Sequence, residues 1–182
     1  EVFAGQRVVA VSAGQYHSFA ITADGSVWGW GDGDNGKLGH GDSERQLLPK
    51  KVEALADQRG VAVSAGAAHS LAITADGALW SWGGGVYGKL GHGDWQRQLL
   101  PKKVQAFAGQ RVVAVSAGGH HSLALTADGA AWSWGGAGWG KLGHGDEQRQ
   151  LLPKEVEALA SQHVIAVSAG DFHSFALTAD GS

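Results

Sequence analysis

At 182 residues the chain has the length of one ordinary domain, 43% hydrophobic and 17% charged, with a formal net charge of −3. It lacks the clustered Lys and Arg of a broad nucleic-acid footprint, and no run of about eighteen apolar residues is present to span a bilayer. The absence of Cys removes a disulfide framework, a Cys-ligated zinc and a cysteine nucleophile together.

Read from the N-terminus, the first unit is a series of short strands. Val8-Val9-Ala10-Val11 is a β-branched run ending at Ser12-Ala13-Gly14, a buried strand followed by a turn. Ser18 to Thr22 is the second strand, with Phe19 and Ile21 on one face by the two-residue period. Ala23-Asp24-Gly25 makes a tight turn, Asp-Gly being a strong hairpin signal. Val27 to Gly31 is the third strand; Trp28 and Trp30 share a face, and the glycines between them let a second backbone come close. A glycine-rich loop runs through Gly41. Leu47 to Val52 is then a fourth strand, which Pro49 places at a sheet edge because proline cannot donate to the ladder. Val52 to Ala56 has room for a single helical turn.

The same series then returns at a fixed step. Gly14, Gly66, Gly118 and Gly170 lie 52 residues apart, and so do His17, His69, His121 and His173. Gly36-Lys37-Leu38-Gly39-His40-Gly41-Asp42 recurs identically from Gly88 and from Gly140. Residues 53–104 and 105–156 differ at 13 of 52 positions, with no insertion. A period of this length is one supersecondary unit copied, giving repeats 1–52, 53–104 and 105–156 and a half repeat 157–182. Four antiparallel strands per repeat with tryptophans at fixed phase describe β-propeller blades in an all-β fold. An indole buried between blades removes ~150–250 Å² from water, on the order of 4–6 kcal/mol as an upper bound.

The pattern Gly-x-x-His-Ser-x-Ala-(Ile/Leu)-Thr-x-Asp-Gly-x-x-Trp-x-Trp-Gly, followed by Gly-Lys-Leu-Gly-His-Gly-Asp and a Leu-Pro, resembles the regulator of chromosome condensation repeat across the whole chain. The resemblance implies a propeller normally of seven blades, among whose relatives are a GTPase exchange factor, propellers of HECT-type ubiquitin ligases and a plant ultraviolet-B photoreceptor. One fold thus serves several unrelated jobs. The strict step leaves no room for an exchange-factor wedge. Gln15, Ala67, Gly119 and Asp171 stand where the photoreceptor repeats Trp, and Tyr16, Ala68, His120 and Phe172 where it repeats Arg.

Residues 157–182 align with 1–26, so three units are followed by one extra first half. Two copies would have the length of seven units, but each seam would lack the last two strands of a blade. A segment of a longer propeller is therefore favoured over a self-sufficient homodimer, and further blades from a longer chain or another subunit are needed to close the ring.

Each chemical motif has a structural counterpart. His17 beside Ser18, and its copies, cannot form a catalytic pair on a strand, where neighbours point to opposite faces, so hydrogen bonding across the blade is expected. His40 with Asp42, and its copies, gives too few converging ligands for a metal. Gly31-Asp32-Gly33-Asp34-Asn35-Gly36 matches a dinucleotide fingerprint without the helix that the chemistry needs.

What breaks the repeat carries more information. Trp95 and Trp139 occur in one copy each, and the copies diverge at the turns Gln15-Tyr16, Ala67-Ala68, Gly119-His120 and Asp171-Phe172 and at the loops 32–35, 84–87 and 136–139. The expected partner-binding residues are Tyr16, Asp34, Tyr87, Trp95, His120, Trp139 and Phe172. The expectation is a soluble, non-enzymatic scaffold that docks a protein partner through these loops, without cofactor, catalytic residue, metal, nucleic acid or membrane insertion, in cytoplasm or nucleus. The alternatives are a guanine nucleotide exchange factor for a small GTPase and the recognition propeller of a HECT-type ubiquitin ligase.

Overall fold

The computed structural model describes residues 2–181. Strands β1 (Val8–Ala13), β2 (His17–Thr22), β3 (Val27–Gly31) and β4 (Gln46–Lys51) form one antiparallel sheet in that order. Two further sheets repeat it: β5 (Gly60–Ala65), β6 (His69–Thr74), β7 (Leu79–Gly83) and β8 (Gln98–Lys103), then β9 (Val112–Ala117), β10 (His121–Thr126), β11 (Ala131–Gly135) and β12 (Gln150–Glu155). A half-blade of β13 (Val164–Ala169) and β14 (Ser174–Thr178) follows. The sheets are successive blades of a propeller, and the described residues do not close into a ring.

Local chemistry explains each blade. The β2–β3 turn is closed by Asp24, whose carboxylate accepts from the Thr22 hydroxyl (2.6 Å) and the Ser26 N–H (3.0 Å). Those bonds hold the Asp24 pKa down to about 2. Proline keeps β4 outermost, and the β3–β4 register slips between Gly29 and Gly31. The fourth strand runs Gln46–Lys51 where the sequence suggested Leu47 to Val52. Val52 bonds Val27 O (2.8 Å) and then opens a 3-10 turn, Glu53–Leu55, at the place expected for a single helical turn.

The blades meet by a fixed rule. Phe19, Ile21 and Val27 of the first blade pack against Ala65, Ala72 and Trp82 of the second, and Leu71, Ile73 and Leu79 of the second against Ala117, Ala124 and Trp134 of the third. Each seam therefore joins the Phe/Leu face of one blade to the Trp face of the next. The two tryptophans of a blade are not equivalent. Trp82 and Trp134 are fully buried and donate to Lys37 O and Lys89 O at 2.9 Å, whereas Trp80 and Trp132 are half-buried at the rim. At the axis, Ser12, Ser64 and Ser116 accept from the N–H of Ala65, Ala117 and Ala169, stitching one inner strand to the next. Gly66 must lack a side chain there, since a Cβ would lie 2.6 Å from Gly118 O.

Candidate functional site

The β1–β2 turns and the β3–β4 loops leave the sheets at the same end of the strands. Every residue singled out for partner binding lies at that end. The structure sorts them into groups that cross the seams. Tyr87 of the second blade packs edge-on against Trp95 of its own loop (5.9 Å) and His120 of the third blade (5.4 Å), with the Arg149 guanidinium 4.7 Å from the Tyr87 ring centre. Trp139 of the third blade packs edge-on against Phe172 of the half-blade (5.2 Å), and Lys141 Nζ lies 5.5 Å from the Trp139 ring centre. Tyr16 and Asp34 join neither group. They line a groove of about 550 Å³ with Trp30, Asp32 and Arg45, on the face of the first blade turned away from the second.

The loops are held in a costly conformation. Asn35, Tyr87 and Trp139 occupy equivalent positions, all in the left-handed region at φ 62°, 66° and 60°. Asparagine tolerates this better than an aromatic residue, for which it costs on the order of 1–2 kcal/mol. Trp139 is fixed there by its backbone N–H donating to Glu147 Oε1 (2.8 Å), and the residue remains 75% exposed; Phe172 and Trp95 are about half exposed. Strain of this kind at an exposed aromatic is typical of binding loops.

The phased histidines play a different part. His17 Nε2 lies 2.9 Å from Ser70 Oγ, His69 Nε2 2.9 Å from Ser122 Oγ and His121 Nε2 2.8 Å from Ser174 Oγ. Their bonds run between blades and not, as the sequence suggested, across one blade. Ser70 donates its own proton to Lys37 O (2.7 Å), so Nε2 must be the donor and the neutral ring carries its proton there. Nδ1 of all three rings is buried without a partner. Protonation would place an unpaired N–H in that site. Burial first, with nearby lysines, holds His17 and His121 down to about 4 and His69 well below its ordinary value. These rings are structural pins.

The lysines of the repeated heptapeptide are buried at 3%, 2% and 7% exposure for Lys37, Lys89 and Lys141. Lys37 pairs with Asp32, whose carboxyl is held below the usual range by that bond. The positions equivalent to Asp32 are Gly84 and Gly136, and among the described residues neither Lys89 nor Lys141 has a carboxylate partner. Burial lowers both, Lys89 to about 8.

A sequence family described as the RCC1-like domain matches residues 1–182. The chain belongs to the RCC1-like domain family. Among RCC1-like relatives, the E3 ubiquitin-protein ligase HERC2 of Homo sapiens is 43% identical over 183 residues, covering 100% of this chain and 4% of the ligase. The ultraviolet-B receptor UVR8 of Arabidopsis thaliana is 40% identical over 177 residues, 97% of this chain and 40% of the receptor. The crystal structure of Prp20p from Saccharomyces cerevisiae matches with a TM-score of 0.84 at 27% identity, over 93% of this chain and 43% of that one. The RCC1-like segment thus spans less than half the length of each.

Lys89, Lys141 and Arg149 were not among the residues that sequence reasoning marked for the site. All three recur at the 52-residue step and so read as scaffold. The usable signal was the mismatch between a lysine present in every copy and an acidic partner present in only one.

Proposed function

We propose that this RCC1-like segment is a non-enzymatic docking module that captures a protein partner through the loop end of its blades. Further blades, from a longer chain or another subunit, complete its ring. The observation that carries the first statement is the gathering of unrepeated residues at one end. Tyr87, Trp95, His120, Trp139 and Phe172 come from three successive units, pack across two seams and keep large aromatic surfaces in solvent. The seam rule supports the second: the half-blade leaves Phe175 and Leu177 at 67% and 45% exposure, a surface that a following Trp face fits. The similarity to HERC2 supports, as a second reading, recognition of substrates for ubiquitin transfer catalysed elsewhere.

Selection of a random peptide library on the immobilised chain tests the docking reading. The wild-type chain should enrich a family of peptides, and the double variant Trp139→Ala, Phe172→Ala should lose them while its circular dichroism is unchanged. Recovery of the same peptides by the double variant would overturn it.

A further inference from the structure

One cavity at the loop end has an imbalance of charge that the chain itself shows how to correct. It measures about 340 Å³ and lies where the loops of the second blade, the third blade and the half-blade meet, lined by Tyr87, Gly136, Trp139, Lys141, Arg149 and Phe172. Lys141 lies within reach of two aromatic rings, Nζ being 5.5 Å from the centre of Trp139 and 6.0 Å from that of Phe172. Arg149 lies over Tyr87 and Trp95. Neither cation forms an ion pair among the described residues. The acidic groups nearby are otherwise placed: Glu147 accepts from the Trp139 N–H, and Asp171 sits in the adjoining turn against Gly119.

The first copy supplies the missing piece. There the same lysine, Lys37, meets the carboxylate of Asp32. The backbone is unchanged in the third copy: Asp32 N–H donates to Tyr16 O at 2.9 Å, and Gly136 N–H donates to His120 O at 2.8 Å. The third copy therefore lacks only the side chain, and the space it vacates opens into the cavity. A Cβ on Gly136 would meet His120 O at 3.3 Å, tighter than an ordinary contact, and Tyr87 at 3.5 Å. A side chain there needs the carbonyl to give by a few tenths of an ångström, as the first copy, which carries Asp32, accommodates one. Desolvation without a counter-ion penalises the Lys141 ammonium, and an incoming carboxylate relieves it.

We propose that this cavity is a carboxylate-binding site, taking an aspartate or glutamate side chain of the partner into the place against Lys141 that Asp32 holds against Lys37. The exposed ring of Trp139 forms the shelf for the residues flanking that carboxylate, which favours a peptide segment over a free small acid. The inference rests on the docking reading and narrows it to acidic partners.

The test is fluorescence anisotropy of a labelled peptide alternating glycine and aspartate, titrated with the 182-residue chain. Saturable binding is expected, absent for the peptide with asparagine in place of aspartate. Lys141→Gln should weaken it about tenfold. Gly136→Asp should do the same by installing the internal counter-ion, while Gln110→Glu, an equal charge change at the opposite end of the strands, should not. Free N-acetyl-aspartate at equal concentration should compete poorly; equal competition would overturn the peptide assignment. Failure of the aspartate peptide to bind, or equal weakening by Gly136→Asp and Gln110→Glu, would overturn the carboxylate site. Peptides selected on the library that depend on Trp139 but carry no acidic residue would leave the docking reading standing while this inference fell.

Discussion

Phe19-Ala20-Ile21-Thr22 and Phe175-Ala176-Leu177-Thr178 occupy the same strand of the repeat and differ only by one Ile-to-Leu exchange. In the first blade Phe19 and Ile21 are buried, Phe19 edge-on beneath Trp82 at 5.6 Å. In the half-blade Phe175 and Leu177 face solvent. His173, likewise, is exposed and has no serine of a following blade to bond among the described residues, whereas His17, His69 and His121 are pinned. Local sequence is constant between the two regions; the neighbouring blade is not. Burial in this array is thus a property of the seam, and stability is a sum over blades and the interfaces between them.

Acid should separate the closed seams from the open end most strongly. The folded pKa of His17 and of His121 is depressed to about 4, and that of His69 lies well below the ordinary value. The unfolded chain protonates first, near pH ~6.5, so their contribution is complete above that pH and is lost as pH falls from there toward about 4. For His17 and His121 the loss is on the order of 3 kcal/mol each. Urea unfolding at neutral pH and near pH ~4.5 measures it, and His121→Asn should flatten the slope. A pH-independent midpoint would show that the pins do not hold the seams as neutral rings.

The next test exchanges one indole for another. Trp134→Ala removes a fully buried ring and its bond to Lys89 O, and should cost about 3–5 kcal/mol. Trp30 holds the same position in the first blade but sits half-buried on the outward face. Trp30→Ala should cost less, about 1–3 kcal/mol, because part of the ring is already wet. Equal costs would mean that the indole stabilises its own blade and not the seam.

Much of this was legible in the residues. The third strand, Val27–Gly31, begins and ends where alternation and the Asp-Gly turn place it, because both signals are local. The fourth shifted by one residue: the Val52 N–H still donates to Val27 O of the third strand, while the Val52 carbonyl accepts from the Leu55 N–H and opens the turn expected over 52–56, so the strand ends at Lys51. At the site, unrepeated aromatics such as Tyr87 and Trp139 stood out by contrast with their copies. Their pairing with His120 and Phe172 did not, because it depends on how adjacent blades are set against each other. The lysines were hardest to see. Repetition concealed that, among the described residues, Lys37 alone of the three meets a carboxylate.

The smallest effect sharpens the comparison at the outer strands, where the seam is thinnest. Leu99 of β8 and Leu151 of β12 cross over to the preceding blade, approaching the positions of Gly36 and Gly88 so closely that a Cβ would fall 2.6 Å and 2.5 Å from their side chains. Leu47 of β4 has no preceding blade among the described residues and is 84% exposed. Truncating Leu99 to Ala should cost about 1–2 kcal/mol, less than a core leucine because part of the side chain is already wet. Leu47→Ala should stay within about 0.5 kcal/mol. Chemical denaturation of the two variants side by side resolves that difference. If Leu47→Ala were the costlier change, the outer leucine would be supporting its own strand, and the seam rule would stop at the third strand of each blade.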